Sequence, residues 1–311
     1  MRNRPPLPDA APLFRDIQIQ THTQCNFRCK FCPHGKIPIQ HGEMTDETFQ
    51  EVCRQLGELQ FRGTIYPYLM NEPLMDPKLP ARIAALRAAC PGARIWVDTN
   101  GSLATAELLT RIVESGAGVV TMEMYLARGQ RIARKYLDMH AELPAHVQER
   151  VFIYERAADA VLTNRAGNLP DRPVPARPLA LPCERPFRQV YVAYDGSLLL
   201  CCQDWRREVI MGNLVETPLI EIWRSSEYER IRGSLLKPDR GMKLCERCDY
   251  SGRPSDMPAC YRPQLPGGVR VRWRWAWPAA AARDVLGNRM LARYARGWLR
   301  RRVLGRIRRR A

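Results

Sequence analysis

The chain has 311 residues, 45% of them hydrophobic and 26% charged, with a formal net charge of +17 and eleven cysteines. That hydrophobic content excludes a disordered chain, and a prior of about 150 residues per domain makes two domains the expectation. No run of about 18 apolar residues is present to span a bilayer, and the N-terminal residues lack the apolar stretch of a signal peptide. The expected compartment is therefore the cytoplasm, where disulfides are disfavoured and clustered cysteines point to metal or redox chemistry.

Taken in chain order, Ile17–Thr21 reads as a short alternating strand that runs into the first cysteines. Thr45 is a candidate N-cap for a helix with Phe49, Val52 and Leu56 on one face. Gly63–Met70 reads as a strand, and Leu79–Ala89 as a helix stopped by Pro91 and Gly92. Arg94–Asp98 reads as a strand, Ala104–Glu114 as a helix ending at Gly116, and Val119–Met124 as a strand. Gln130–His140 reads as a helix and Val151–Glu155 as a fifth strand. This βα alternation implies a parallel sheet with crossover helices. Five strands before residue 160 are too few for a complete eight-stranded barrel, so a partial, open barrel is expected. A Pro-rich linker spans residues 169–182. The block Cys183–Tyr261 then carries six of the eleven cysteines. Within it, Gln189–Tyr194 and Ser197–Cys201 flank Asp195-Gly196, a hairpin signal, and Glu216–Arg232 reads as one helix.

Cys25, Cys29 and Cys32 have the spacing C-x3-C-x2-C. Three thiolates within eight residues can wrap one face of a [4Fe–4S] cube and leave one iron open, as catalytic metal sites keep an open position. The competing readings are a zinc site with a remote fourth ligand, or three buried thiols. With this spacing, at the end of the first strand, the sequence resembles the radical S-adenosylmethionine (SAM) superfamily. The resemblance implies that the open iron chelates SAM, and that an electron from the cluster cleaves it to a 5′-deoxyadenosyl radical able to abstract hydrogen from carbon. It implies further contacts, in order along the chain. Phe31 would pack on the adenine. Glu72, in Met70-Asn71-Glu72-Pro73, would meet the SAM amino group, although Asn71 stands where the family has Gly. Thr99 and Asn100, in Asp98-Thr99-Asn100-Gly101, would lie near the ribose. Thr121 and Glu123, ending the fourth strand, could meet ribose or substrate, with packing an equal alternative.

The second set is Cys183 and Cys201, with spacing C-x12-G-x4-C about Gly196, followed by Cys245 and Cys248 as C-x2-C. Four cysteines suit a closed [4Fe–4S] site, or zinc. The block resembles the auxiliary iron–sulfur domains called SPASM and, in shortened form, twitch, also through Met211-Gly212-Asn213-Leu214 and Glu221-Ile222-Trp223. Only Cys260 follows Cys248, so one auxiliary cluster is expected. The fold expectation is thus an α/β partial (β/α)6-type open TIM barrel with a small C-terminal cysteine-rich twitch/SPASM domain. Residues 1–182 form the barrel and linker, 183–262 the cluster domain and 263–311 a tail. Cys202 and Cys260 are left over. Either could donate hydrogen to a substrate radical, or be a spare thiol. Cys53 and Cys90 fall on helices and are expected in the core. The polar segment Thr163–Asn168 could line the substrate side or be a surface turn.

The shortened domain is most similar to those of the 2-deoxy-scyllo-inosamine dehydrogenase and aminoglycoside epimerase families. This resemblance implies oxidation or epimerisation at a carbinol carbon of a sugar, aminocyclitol or glycoconjugate. It also implies an external electron donor such as flavodoxin or ferredoxin. The alternatives are a maturase acting on a ribosomal peptide, and a non-catalytic iron–sulfur or zinc protein binding nucleic acid. From Arg270 onward the chain holds 14 Arg and one acid, Asp284, leaving only +4 for the rest. Leu286, Met290, Tyr294 and Trp298 recur there at helical spacing. That basic amphipathic pattern suits the surface of an anionic membrane, which would make the protein peripheral to its inner face. It also suits a helix packed on the body, with nucleic acid disfavoured.

Overall fold

The structure, a computed structural model, describes residues 13–127, 130–157, 162–236 and 240–251. The tail and Cys260 lie outside the described residues. The elements run β1 (Asp16–Ile19), α1 (Asp46–Glu58), β2 (Thr64–Tyr66), α2 (Leu79–Ala89), β3 (Arg94–Thr99), α3 (Ala106–Glu114), β4 (Val119–Leu126), α4 (Arg134–Glu142), α5 (Ala145–Gln148) and β5 (Val151–Ala157). They continue as α6 (Arg185–Arg188), β6 (Gln189–Val192), β7 (Ser197–Leu199), β8 (Ile210–Asn213), α7 (Leu219–Trp223), α8 (Ser226–Leu236) and α9 (Lys243–Glu246).

All eight strands lie in one open sheet of order β5-β4-β3-β2-β1-β6-β7-β8. Strands β1 to β5 are parallel, as the βα alternation requires, and β6 joins in parallel beside β1 with Ile17 opposite Val190. Strands β6, β7 and β8 are antiparallel. The cysteine-rich block therefore continues the sheet of the barrel. At the predicted hairpin, Gly196 takes φ +84 and donates its N–H to Ala193 O at 3.0 Å. This left-handed position favours glycine.

Side chains alternate across the strands. Ile17, Ile19, Ile65, Ile95, Val97, Val120 and Met122 are fully buried in one core with Val52, Leu56, Ile83, Leu86, Leu109 and Ile112 of the helices. The other face carries Gln18, Tyr66, Trp96, Asp98, Thr121, Glu123 and Tyr154. A parallel sheet covered by helices on both faces reads as continuous apolar runs, so this alternation marks a face kept for something polar. Thr45 and Thr105 cap α1 and α3, accepting from Thr48 N at 3.2 Å and Leu108 N at 3.1 Å. Cys90 is buried at the end of α2 and Cys53 is half-buried on α1, both against the core as expected.

Three elements differ from their sequence expectation, each for a local reason. The second strand stops at Tyr66 because Pro67 has no N–H to continue the ladder. The helix expected from Gln130 begins at Arg134. Gln130 instead closes a turn, donating its N–H to Ala127 O and accepting from Ala127 N on its side chain, both at 2.9 Å. The helix expected over Glu216–Arg232 is two. Pro218 precedes α7, and Ser225 Oγ then accepts from Tyr228 N at 3.2 Å, the pattern of a new N-cap.

The loop between β1 and α1 is long and irregular, yet its base is closed. Met44 N donates to Thr21 O at 2.8 Å and Thr23 N to Gly42 O at 3.1 Å, beside an antiparallel bridge between His22 and Glu43. Arg82 of α2 reaches across the base to Met44 O at 2.9 Å and Thr21 O at 3.5 Å, and pairs with Asp76 at 2.6 Å. The two side chains are only 4% and 1% exposed. Removing one partner of such a pair leaves a buried charge, so Asp76→Ala is expected to cost about 3–5 kcal/mol. Urea unfolding of the variant against wild type checks this. A smaller loss in Asp76→Asn would match an amide that still accepts from Arg82.

Candidate active site

Cys25, Cys29 and Cys32 sit half-exposed on the loop that follows β1, at the carboxyl end of the parallel strands where sites on such sheets lie. Their backbone is braced from within. Arg28 Nη1 donates to Cys25 O at 2.8 Å and Phe27 O at 3.0 Å, and meets His34 Nδ1 at 3.1 Å. His34 Nε2 lies 3.1 Å from Thr23 O. Because Arg28 can only donate, Nδ1 must accept and Nε2 must carry the hydrogen. Burial holds the imidazole pKa below its ordinary value, consistent with this neutral form. Gly35, at φ +77, leaves room for this brace, since a Cβ there would lie 2.1 Å from Arg28 Cδ. Burial pushes the Cys29 thiol up to about 11, with Cys32 and Cys25 adding to the shift. The thiols are thus protonated near neutral pH, and cation binding must displace protons.

The other predicted SAM contacts converge beside this loop. Glu72 is buried, and its carboxylate accepts from Asn100 N at 2.8 Å, from Leu74 N at 3.0 Å and from the Thr99 hydroxyl. Burial raises its pKa against those donors. In this arrangement Glu72 ties the end of β3 to the turn after β2. Asn100 Nδ2 donates to Asn26 Oδ1 at 2.9 Å, joining that end to the cysteine loop. Phe31 packs on Tyr125 with ring centroids 5.0 Å apart, and Tyr125 donates to Glu123 at 2.9 Å. Deeper on the polar face, Asp98 accepts from Trp96 Nε1 at 2.6 Å and from the hydroxyls of Tyr68 and Thr121. Sequence reading passed over Tyr68, Trp96 and Tyr154. For Trp96 and Tyr154 the signal was the polar half of the strand alternation, while Tyr68 lies past the end of β2.

The second cysteine set also converges. Cys183, Cys201, Cys245 and Cys248 all line one cavity. Among the described residues no three His, Cys, Asp or Glu side chains meet as a single ion would require. In a four-iron cube each cysteine binds a different iron, so the thiols must surround a volume, as these four do. Arg185 and Arg240 are the charged residues of the cavity wall. Burial pushes Cys183 up to about 11 and Cys245 up to about 12. The donor set and the cationic wall fit an anionic thiolate-bound cluster. Cys202 is not in this wall. Its thiol is hydrogen-bonded to that of Cys201, and it packs with Met70, Tyr191 and Trp205, in the apolar cluster that also touches Cys32. The segment Thr163–Asn168 contains a half-buried turn that touches both cysteine sites. Asn164 Nδ2 donates to Arg247 O at 2.8 Å, Ala166 lines the four-thiol cavity, and Arg165 Nε donates to Phe31 O at 3.2 Å.

Among the described residues no helix is long and apolar enough to cross a membrane.

Residues 19–163 match the radical SAM superfamily, and residues 183–249 match SPASM, an iron–sulfur cluster-binding domain. The chain is 28% identical over 239 residues to the SAM-dependent 2-deoxy-scyllo-inosamine dehydrogenase of Niallia circulans, covering 76% of this chain and 93% of that one. Among solved structures it is similar to BtrN in complex with AdoMet and 2-DOIA, with TM-score 0.68 and 27% identity over 77% of this chain and 94% of that one. It also shares its fold with anSMEcpe bound to AdoMet and a peptide, at TM-score 0.51 and 13% identity over 79% of this chain and 93% of that one.

With two clusters, anaerobically reconstituted protein is expected to hold about eight iron per chain, and Cys183→Ala or Cys201→Ala about four. Cys202→Ala is expected to stay near eight. Iron and sulfide analysis of the three variants checks the division.

Proposed function

Because this chain belongs to the radical SAM superfamily and carries a SPASM-type iron–sulfur domain, we propose that it oxidises a carbinol carbon of a sugar, aminocyclitol or glycoconjugate to the ketone. The enzyme depends on SAM and [4Fe–4S] clusters. In this reading Cys25, Cys29 and Cys32 hold the SAM-binding cluster, and Phe31, Glu72, Thr99, Asn100 and Glu123 surround the SAM. Cys183, Cys201, Cys245 and Cys248 hold the auxiliary cluster. Bound there, SAM and its cluster would supply a 5′-deoxyadenosyl radical to take the carbon-bound hydrogen; the hydroxyl proton would go to solvent, and the group held by Cys183, Cys201, Cys245 and Cys248 would take the remaining electron. An external one-electron donor of the flavodoxin or ferredoxin kind supplies the electron that cleaves SAM.

The observation that carries this reading is the four-thiol cavity on the same sheet as the three-cysteine loop. A closed four-cysteine site has no open iron to bind substrate, so electron exchange is the role left to it. The polar face of the sheet, with Tyr68, Asp98, Thr121 and Glu123, offers hydroxyls and carboxylates to a substrate rich in hydroxyl and amino groups. The similarity to an aminocyclitol dehydrogenase points the same way.

One observation favours a second reading, epimerisation. Cys202 lies outside the cavity wall, its thiol hydrogen-bonded to that of Cys201, and packs on the apolar cluster of residues that includes Cys32, where a thiol could return hydrogen to the opposite face of a substrate radical.

Two measurements separate the readings. Reduced protein with SAM and 2-deoxy-scyllo-inosamine deuterated at its carbinol carbons is expected to give deuterated 5′-deoxyadenosine and a ketone, with Cys202→Ala retaining that activity. An alcohol of inverted configuration carrying solvent deuterium, lost in Cys202→Ala, would mark the epimerase instead. Absence of 5′-deoxyadenosine with this and a panel of related aminoglycosides would count against both.

A further inference from the structure

We propose that Arg185 sets the redox potential of the auxiliary cluster, raising it so that the site accepts an electron from the substrate radical. The inference rests on the reading of Cys183, Cys201, Cys245 and Cys248 as ligands of that cluster, and names the residue that makes the site an acceptor.

Arg185 opens the short helix α6, two residues after Cys183. Its Nη1 lies 3.4 Å from Cys201 Sγ, and its guanidinium stacks over the Tyr250 ring at 4.0 Å from the centroid. Among the described residues no carboxylate forms an ion pair with it. The neighbouring Glu184 is occupied otherwise, accepting from the Tyr250 hydroxyl at 2.5 Å. A guanidinium removed from water without a carboxylate partner is unfavourable; beside it lie the Cys201 and Cys202 sulfurs, and four thiolates around an iron–sulfur cube would supply the remaining negative charge.

The second cation of the wall does not have this freedom. Arg240 spends its N–H groups on Leu181 O at 2.7 Å, Pro182 O at 3.0 Å and Tyr250 O at 2.5 Å. It holds backbone in place, and its loss would disturb the fold around the cysteines. Arg185 donates to the Cys201 sulfur, stacks on the Tyr250 ring and lies beside the Cys202 thiol, so its charge is directed at the sulfurs of this turn rather than at backbone. The turn that carries it is fixed from behind, because buried Arg232 of α8 donates to Pro186 O at 2.8 Å.

The sign follows from charge. A thiolate-bound cube becomes more negative on reduction, so a fixed cation and N–H donors at its sulfurs stabilise the reduced form more than the oxidised one. Arg185 is joined by two backbone donors, Gln203 N on Cys201 Sγ and Tyr250 N on Cys248 Sγ, each at 3.4 Å. The amides remain whichever side chain stands at 185, so the guanidinium is the variable part.

The test is an EPR-monitored redox titration of the full chain carrying Cys25→Ala, Cys29→Ala and Cys32→Ala, which isolates the auxiliary cluster. Adding Arg185→Gln is expected to shift the midpoint potential negative, and Arg185→Lys, which keeps the charge, to recover most of the shift. If Arg185→Gln does not retain iron, Arg185→Met takes its place in the comparison. An intact cluster with unchanged potential in either neutral variant overturns the proposal, as does loss of the cluster in all three, Arg185→Lys included. If the parent chain with the three alanines binds no iron at all, it is the auxiliary-cluster reading that fails.

Discussion

A loop of irregular backbone must present three thiols in a fixed arrangement at the mouth of the sheet, and the Arg82–Asp76 pair is the interaction on which that depends. Neither helix nor strand is available between Gln20 and Thr45 to hold the loop. Instead, one guanidinium joins the two ends of the loop, at Thr21 O and Met44 O, to the turn after β2, at Asp76. Arg28 and His34 then stiffen the tip from inside. Arg82 satisfies the buried carbonyl of Met44 and His34 that of Thr23, so the loop meets these polar demands while staying irregular.

The same economy sets one cysteine site against the other. Thr163–Asn168 reaches Phe31 in the first loop through Arg165, and the C-x2-C turn at Arg247 through Asn164. Gln55 of α1 adds a second tie, donating to Leu214 O at 2.8 Å and accepting from Leu219 N at 2.6 Å. With β6 hydrogen-bonded to β1, the auxiliary block is registered to the barrel by sheet, helix and loop together. The proposed transfer of an electron from the substrate radical to the auxiliary site would need such a fixed relation, since a small displacement of reacting groups is costly in rate.

Much of this was legible in sequence because it is local. The cysteine spacings, the Thr45 cap, the Asp195-Gly196 turn and the period-two strands all lie within windows of a few residues. The relation of the adjacent Cys201 and Cys202 was not legible: one lines the four-thiol cavity and the other packs on the cluster with Cys32, yet their thiols are hydrogen-bonded to each other. The split of the Glu216–Arg232 helix was missed because Ser225 is an ordinary helical residue until its side chain turns to cap the next segment. Strand β8 was missed because Gly212, at φ +151, interrupts a pattern only four residues long.

By itself, then, the sequence determined the chemistry: three cysteines with an open position, four more for a closed site, and a parallel sheet to carry them. Tertiary structure decided which partners tune that chemistry. Arg82, Arg165 and Arg185 look alike among the chain's many arginines, and nothing within a few residues of each says that one clamps a loop, one bridges two sites and one faces the Cys201 sulfur. Ligand spacing is a property of the local chain. The charge felt by a cavity is summed over segments that meet only when the chain folds.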